Sequence, residues 1–170
     1  MSGSTLEGVI TFRAASPADP DAHELIVEYF AERASGFPGE YRPVLPGPDA
    51  FRAPDGVLLL IEHTDDDDAT ADRGLIGCGA IRRIADGPMG ARFEVKHVYT
   101  RPAARGLGAG RLLMDELERQ ARAWGARELV LDTHHTLEAA AALYARTGFA
   151  PIEPYNDNPN ATRWYGKTLD

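Results

Sequence analysis

Apolar residues change their spacing several times along this chain, and each change marks an element. Val9–Phe12 is short and rich in strand formers, so it reads as a first strand. Ser16-Pro17-Ala18-Asp19 supplies a capping oxygen, a first-turn proline and an acid three residues on, which predicts a helix start there. Leu25, Ile26, Tyr29 and Phe30 follow at helical spacing, and Gly36 with Pro38 ends the run. Residues 36–56 hold many prolines and glycines and no period. They predict an irregular loop, long enough to cover or shape a site. Val57–Glu62, apolar through Ile61, predicts a buried strand, and Leu75–Ile84 the next. Asp65–Asp68 is a like-charged run at the tip of the hairpin between them. A turn at Asp86-Gly87-Pro88-Met89-Gly90 leads into a third strand of the sheet, Phe93–Thr100.

From Gly108 the period becomes helical. Ala109, Leu112, Leu113, Leu117, Ala121 and Trp124 form one stripe, and Gly125 stands where a helix closes. Glu128–Asp132 is a short strand, Leu137–Thr147 an alanine-rich helix closed by Gly148, and Phe149–Tyr155 and Thr162–Leu169 two last strands. The order β-α-β-β-β-α-β-α-β-β predicts an α/β fold, a mixed sheet with helices on both faces. With 170 residues and no linker or repeat, residues 1–170 read as one domain.

Charge and cysteine content narrow the chemistry. Eighteen basic against twenty-six acidic residues leave a net charge of −8, which disfavours sequence-blind nucleic-acid binding and is compatible with cationic acceptors such as amines. The single cysteine, Cys78, excludes an internal disulfide and a thiolate metal cage, and its place inside a strand reads as structural. His134-His135 lacks a third ligand at metal spacing. The N-terminus has no basic-then-apolar leader, and no apolar run is long enough for a membrane, so the expected location is cytoplasmic.

The sharpest feature is Thr100-Arg101-Pro102-Ala103-Ala104-Arg105-Gly106-Leu107-Gly108-Ala109-Gly110. A strand ends, a glycine-rich loop follows, and an amphipathic helix begins. Such a junction offers unpaired N–H groups and the positive end of a helix dipole to an anion, best a pyrophosphate. Arg105 and Arg111 add charge beside it. A Walker loop would need Lys-Ser or Lys-Thr where Arg111-Leu112 stands. The spacing Gly106-x-Gly108-x-Gly110 does not match a dinucleotide fingerprint either.

Arg105-x-x-Gly108-x-Gly110 resembles the acetyl-CoA signature of the GCN5-related N-acetyltransferases, the GNAT superfamily. Glu94–Pro102 resembles the strand before that signature, and Ala142–Phe149 the later leucine-tyrosine and glycine-phenylalanine block, in register over Phe93–Phe149. Leu137 stands where the superfamily often has asparagine, and Thr100 where it usually has valine. The resemblance implies a mostly antiparallel central sheet flanked by helices, and acetyl-CoA as co-substrate. It implies that main-chain groups of Val98, Tyr99 and Thr100 hold the pantetheine arm. An N–H near Val98 or Tyr99 would serve as oxyanion donor. Backbone N–H groups of Arg105, Gly106, Leu107, Gly108, Ala109, Gly110 and Arg111 would hold the pyrophosphate. Tyr144 would protonate or hydrogen-bond the leaving thiolate.

The implied reaction is transfer of acetyl to a primary amine, on a small molecule or a peptide, in a ternary complex. A non-catalytic acyl-CoA binding or sensing domain is the alternative. An amine must lose a proton first, and Glu94 matches the general base of some members. Strand alternation would put Glu94, Lys96, Val98 and Thr100 on one face and His97 on the other. Glu94 is thus the base, unless a water is, or else half of an ion pair with Lys96 or Arg92. By region, Tyr29, Phe30, Phe37 and Tyr41, and Tyr155, Asn156, Asp157 and Trp164, fall where the superfamily forms its acceptor cleft, or else in the core. Hydrophobic positions near the last strands serve a homodimer edge or the core.

Overall fold

The computed structural model of the chain describes residues 8–65 and 74–170. All but the first residue of the Asp65–Asp68 run lies outside them. The described elements are β1 (Gly8–Ala14), α1 (Pro20–Gly36), β2 (Gly56–Asp65), β3 (Gly74–Gly87), β4 (Gly90–Thr100), a 3-10 turn (Pro102–Ala104), α2 (Ala109–Ala123), β5 (Glu128–Thr133), α3 (Glu138–Arg146), β6 (Ala150–Pro151) and β7 (Arg163–Thr168). The seven strands form one sheet, in the order β1-β2-β3-β4-β5-β7-β6. Every pairing is antiparallel except β4 with β5.

Two boundaries stand apart from the sequence reading. Helix α1 begins at Pro20, because the Asp19 side chain caps it by accepting from the Asp21 N–H at 2.9 Å. Ser16 instead accepts from the Ala18 N–H at 3.1 Å and makes a local turn. The strand expected over Phe149–Tyr155 shrinks to Ala150–Pro151. The residues after it turn inward, where Tyr155 and Asn156 donate to carboxylates at the sheet centre.

Helix α1 covers one face, where Ala22, Leu25 and Ile26 pack on Leu58, Leu60, Cys78 and Ala80. Helix α2 covers the other, with Leu113, Met114, Leu117 and Ala121 against Leu59, Ile61, Phe93 and Val95. Each fully buried leucine here contributes on the order of 2 kcal/mol. Leu113 closes directly onto β3 at Gly79, where an added Cβ would stand 2.6 Å from its Cδ2. Arg101 fixes the other helix. It donates to Glu28 of α1 at 2.7 Å and to the Leu75 carbonyl at 2.9 Å, anchoring α1 at the end of β4.

Two irregularities in β4 shape the middle of the sheet. Parallel pairing with β5 covers only Arg92–Glu128, Phe93–Leu129 and Glu94–Val130. Beyond Glu94, β4 follows β3 to Thr100 while β5 follows β7 to Thr133, so the two central strands part. In the parting stretch the β3–β4 register shifts between Cys78 and Ala80, which pair with Tyr99 and Lys96. The extra residue is a bulge at His97, whose φ is 55°. The bulge corrects the expected alternation. Lys96 and Tyr99 lie on the α1 face beside Ala80 and Cys78, and Val98 packs into the α2 core. The His97 ring turns to the α1 face, against Tyr29, Phe30 and Phe51.

Candidate active site

Two cavities open where β4 and β5 part. The first, about 760 Å³, runs between the end of β4, the loop before α2, and α3. It is lined by Val98, Tyr99, Thr100, Arg105, Gly106, Gly108, Ala109, Gly110 and Arg111, which are all but Leu107 of the positions assigned to the cofactor from the sequence. Gly106 and Gly108 have φ of 92° and 79°, a region costly for other residues, and an added Cβ at either would point into open space. Gly108 caps α2 without a side chain. Among the described residues, no backbone acceptor takes the N–H groups of residues 106–111. Six consecutive free donors at a helix N-terminus suit a pyrophosphate. Arg111 and Arg146 line the same groove, and neither has an ion-pair partner among the described residues. The Arg105 side chain instead clips the loop to the rest of the molecule, donating to the Thr100 carbonyl at 3.1 Å and pairing with Glu32 of α1. The edge of β4 that faces away from β3 has no strand partner beyond Glu94. Its main-chain groups are free for an extended ligand.

The second cavity, about 730 Å³, lies on the other side of the bulge, between α1, the loop 37–55 and the segment after β6. Tyr29, Phe30, Tyr41, Phe51 and His97 form its aromatic side, and Lys96, Asp132 and Asn156 its polar floor. Tyr29, Arg33, Val98, Leu137, Ala140 and Tyr144 line both cavities, so the two meet there. Tyr144 is buried, and burial, its largest influence, pushes its phenol well above the usual range. It therefore keeps its proton at any physiological pH. Its hydroxyl has no hydrogen-bond partner among the described residues.

Glu94 is 1% exposed and lines neither cavity. Its Oε1 accepts from Arg82 Nε at 2.9 Å and faces Lys96 Nζ at 3.6 Å. Its Oε2 accepts from the Tyr155 hydroxyl at 2.7 Å. The ion-pair partners are thus Arg82 and Lys96. Arg92 stacks over the Tyr155 ring instead, 5.4 Å from its centroid. Tyr155, expected in the acceptor wall, stands behind it, while Tyr29, Phe30 and Asn156 reach the cavity.

The sequence reading missed an asparagine ladder. Asn156 donates to Asp132 at 2.6 Å and accepts from Trp164 Nε1 at 2.9 Å. Asn158 accepts from the Asn160 N–H at 3.0 Å. Asn160 donates to the Arg42 carbonyl at 2.8 Å and accepts from the Arg42 N–H at 3.2 Å. The ladder ties the sheet centre to the loop 37–55. Its signal in the sequence was three asparagines at alternate positions in a short connection, too dense for a plain turn.

Cys78 lies on β3 beside the bulge, fully buried, with its thiol directed at the His97 carbonyl at 3.4 Å. Burial pushes that thiol up to about 12, so it holds no thiolate to carry an acyl group. His134 donates to, or accepts from, Thr136 Oγ1 at 2.8 Å and stacks on His135.

The model of the acetyltransferase (GNAT) family matches residues 21–149. The chain belongs to the GNAT acetyltransferase family. It is 40% identical over 88 residues to an IAA acetyltransferase of Azospirillum brasilense, a match covering 50% of this chain and 56% of that protein. It is 38% identical over 109 residues to an N-acetyltransferase of Schizosaccharomyces pombe, covering 64% of this chain and 61% of the relative. The matches thus span little more than half the length of these curated relatives. An acyl-CoA N-acyltransferase structure from Klebsiella pneumoniae superposes with a TM-score of 0.70 at 26% identity, over 95% of this chain and 99% of that one. GNAT acetyltransferases use acetyl-CoA as co-substrate, and related folds have been crystallised with coenzyme A or acetyl-CoA bound. The free donors of residues 106–111 and the unpaired Arg111 and Arg146 fit its phosphates. No described helix is long and apolar enough to cross a membrane.

Proposed function

We propose that the chain transfers acetyl from acetyl-CoA directly to a primary amine held in the second cavity, in a ternary complex. The observation that carries this reading is the meeting of the two cavities at Val98 and Tyr144. Acetyl-CoA supplies an activated thioester. Residues 106–111 hold its phosphates, and the free edge of β4 holds the arm between phosphate and thioester. At the bulge, an N–H of Val98 or Tyr99 polarises the thioester carbonyl. Holding amine and thioester together removes a large entropic barrier.

Tyr144 donates a hydrogen bond to the departing sulfur. Its raised pKa keeps it a donor, and a thiolate with an ordinary pKa near 8.5 does not require full proton transfer. The ammonium of the acceptor loses its proton to water in the cavity, drawn by the negative charge of Asp132 and, behind it, Glu94. Glu94 acts here as a positioning residue: it holds Arg82, Lys96 and Tyr155 in place. Buried, protonated Cys78 leaves no route through an acyl-cysteine.

The test is release of free CoA from acetyl-CoA against a library of amines, with the acetylated product identified by mass. Tyr144→Phe is expected to lower kcat by about 10- to 100-fold with little change in the KM for acetyl-CoA. Acetyl-CoA binding without amine-dependent release of CoA would overturn the reading.

A further inference from the structure

We infer that the acceptor carries a carboxylate close to its reactive amine, as a free α-amino acid does, together with an apolar side group. This rests on the transfer reading above. The chain is strongly acidic, yet its acceptor cavity is not. Arg33, Arg42, Arg82 and Lys96 line it against one lining carboxylate, Asp132.

Arg33 decides the class. It lines both cavities and so stands where acceptor and thioester meet. Its guanidinium donates to the Tyr29 hydroxyl at 2.9 Å and to the Asn160 carbonyl at 3.3 Å, and lies 5.4 Å from the centre of the Tyr41 ring. No carboxylate pairs with it among the described residues. A guanidinium has five N–H donors in a planar fork, and two are used. A partly buried cation without an anion is costly, and a ligand carboxylate would relieve that cost with a two-pronged hydrogen bond.

Position fixes the rest. The pantetheine arm is uncharged, so an anion is needed at the junction only on the acceptor side. Because Arg33 lines both cavities together with Val98 and Tyr144, a carboxylate that it holds lies on the side of the acceptor near the reactive amine. The outer rim is apolar: Val44 and Leu45 are 79% and 56% exposed and line the same cavity. They offer a seat for an aliphatic or aromatic side group. Lys96, 3.6 and 3.7 Å from Glu94 and Asp132, is a second cation with room for another partner.

The experiment compares kcat/KM for L-leucine and L-phenylalanine with their carboxamides and with 3-methylbutylamine and 2-phenylethylamine, which lack the carboxylate. The full chain is used as wild type, Arg33→Met and Arg33→Lys. Wild type should favour the amino acids by about tenfold or more. Arg33→Met should bring that ratio near one and leave the KM for acetyl-CoA unchanged, and Arg33→Lys should restore part of it. The ratio is internal to each variant, so partial unfolding does not alter it. Preference for the dipeptide Asp-Ala over free amino acids would keep the carboxylate and assign it to a peptide source. Equal rates with and without the carboxylate would overturn the inference, as would a raised acetyl-CoA KM in Arg33→Met with the ratio intact. If no amine turns over, calorimetry of the CoA-loaded protein with N-acetyl-L-leucine and its amide separates the two readings. Arg33-dependent binding of the acid alone sustains the inference while the transfer reading fails, and equal or absent binding overturns it.

Discussion

At the scale of single residues, burial sets the chemistry. His97 sits in the bulge with its Nδ1 buried and unpartnered among the described residues. Burial, reinforced by Lys96, Arg82 and Arg33, lowers its pKa from 6.5 to about 4. The folded protein thus holds His97 neutral where the unfolded chain takes up a proton. Stability is unaffected by this group above pH 6.5, falls as pH drops from 6.5 toward 4, and levels off below that. The whole loss is on the order of 3 kcal/mol. His97→Asn tolerates the positive φ and removes the titration, so its melting temperature should fall less between pH 6.5 and 4.5 than that of wild type. A parallel fall would place the pH dependence elsewhere. Glu94→Gln separates two roles of one carboxylate. As a positioning residue its loss should cost less than about tenfold in kcat/KM, since Gln still accepts from Tyr155. Loss of a direct base would cost about a hundredfold or more.

At the scale of elements, the loop 101–108 and the start of α2 work as one unit. A side chain at position 108 would meet positive φ and enter the groove at once. Gly108→Trp should therefore abolish acetyl-CoA binding in calorimetry while far-ultraviolet circular dichroism stays unchanged. Retained binding would mean that the phosphates lie elsewhere. This unit was legible in the sequence because glycine spacing and a helical stripe are local properties. Helix α2 and strands β2 and β3 were legible for the same reason, through the 3.6 and continuous apolar patterns. The bulge was not. Nothing local distinguishes Lys96-His97-Val98 from a regular strand, and its cause is the register that β3 imposes from nineteen positions away. One extra residue there reversed the expected facing of His97 and Val98. The helix start was displaced for a local reason: Ser16 and Asp19 are both capping residues, each followed by proline, and it is the second that caps α1.

At the scale of the whole molecule, the acceptor cavity is walled by segments far apart in the chain. Loop 37–55 is joined to the segment after β6 through Asn160 and Arg42. Asn160→Ala should raise the KM for the amine several-fold while leaving that for acetyl-CoA near wild type, because the cofactor groove shares none of those bonds. Equal effects on both constants would mean that the ladder supports the fold and not the cavity. Such long-range ties are the part of the site that a sequence does not display: Tyr155 and Glu94 are sixty-one positions apart.

The split between β4 and β5 divides the chain as well as the sheet. Everything from β1 to β4 precedes the glycine loop, and everything from α2 to β7 follows it. The backbone crosses from one half-sheet to the other once, at residues 101–108. Yet α2, from the second half, covers the core of the first. Neither segment owns a site. The first brings the aromatic wall and the free edge of β4, and the second brings the unpaired N–H groups at the start of α2 and Tyr144. A polypeptide severed in that loop would be inert as two pieces, and acetyl transfer would then become a readout of their reunion.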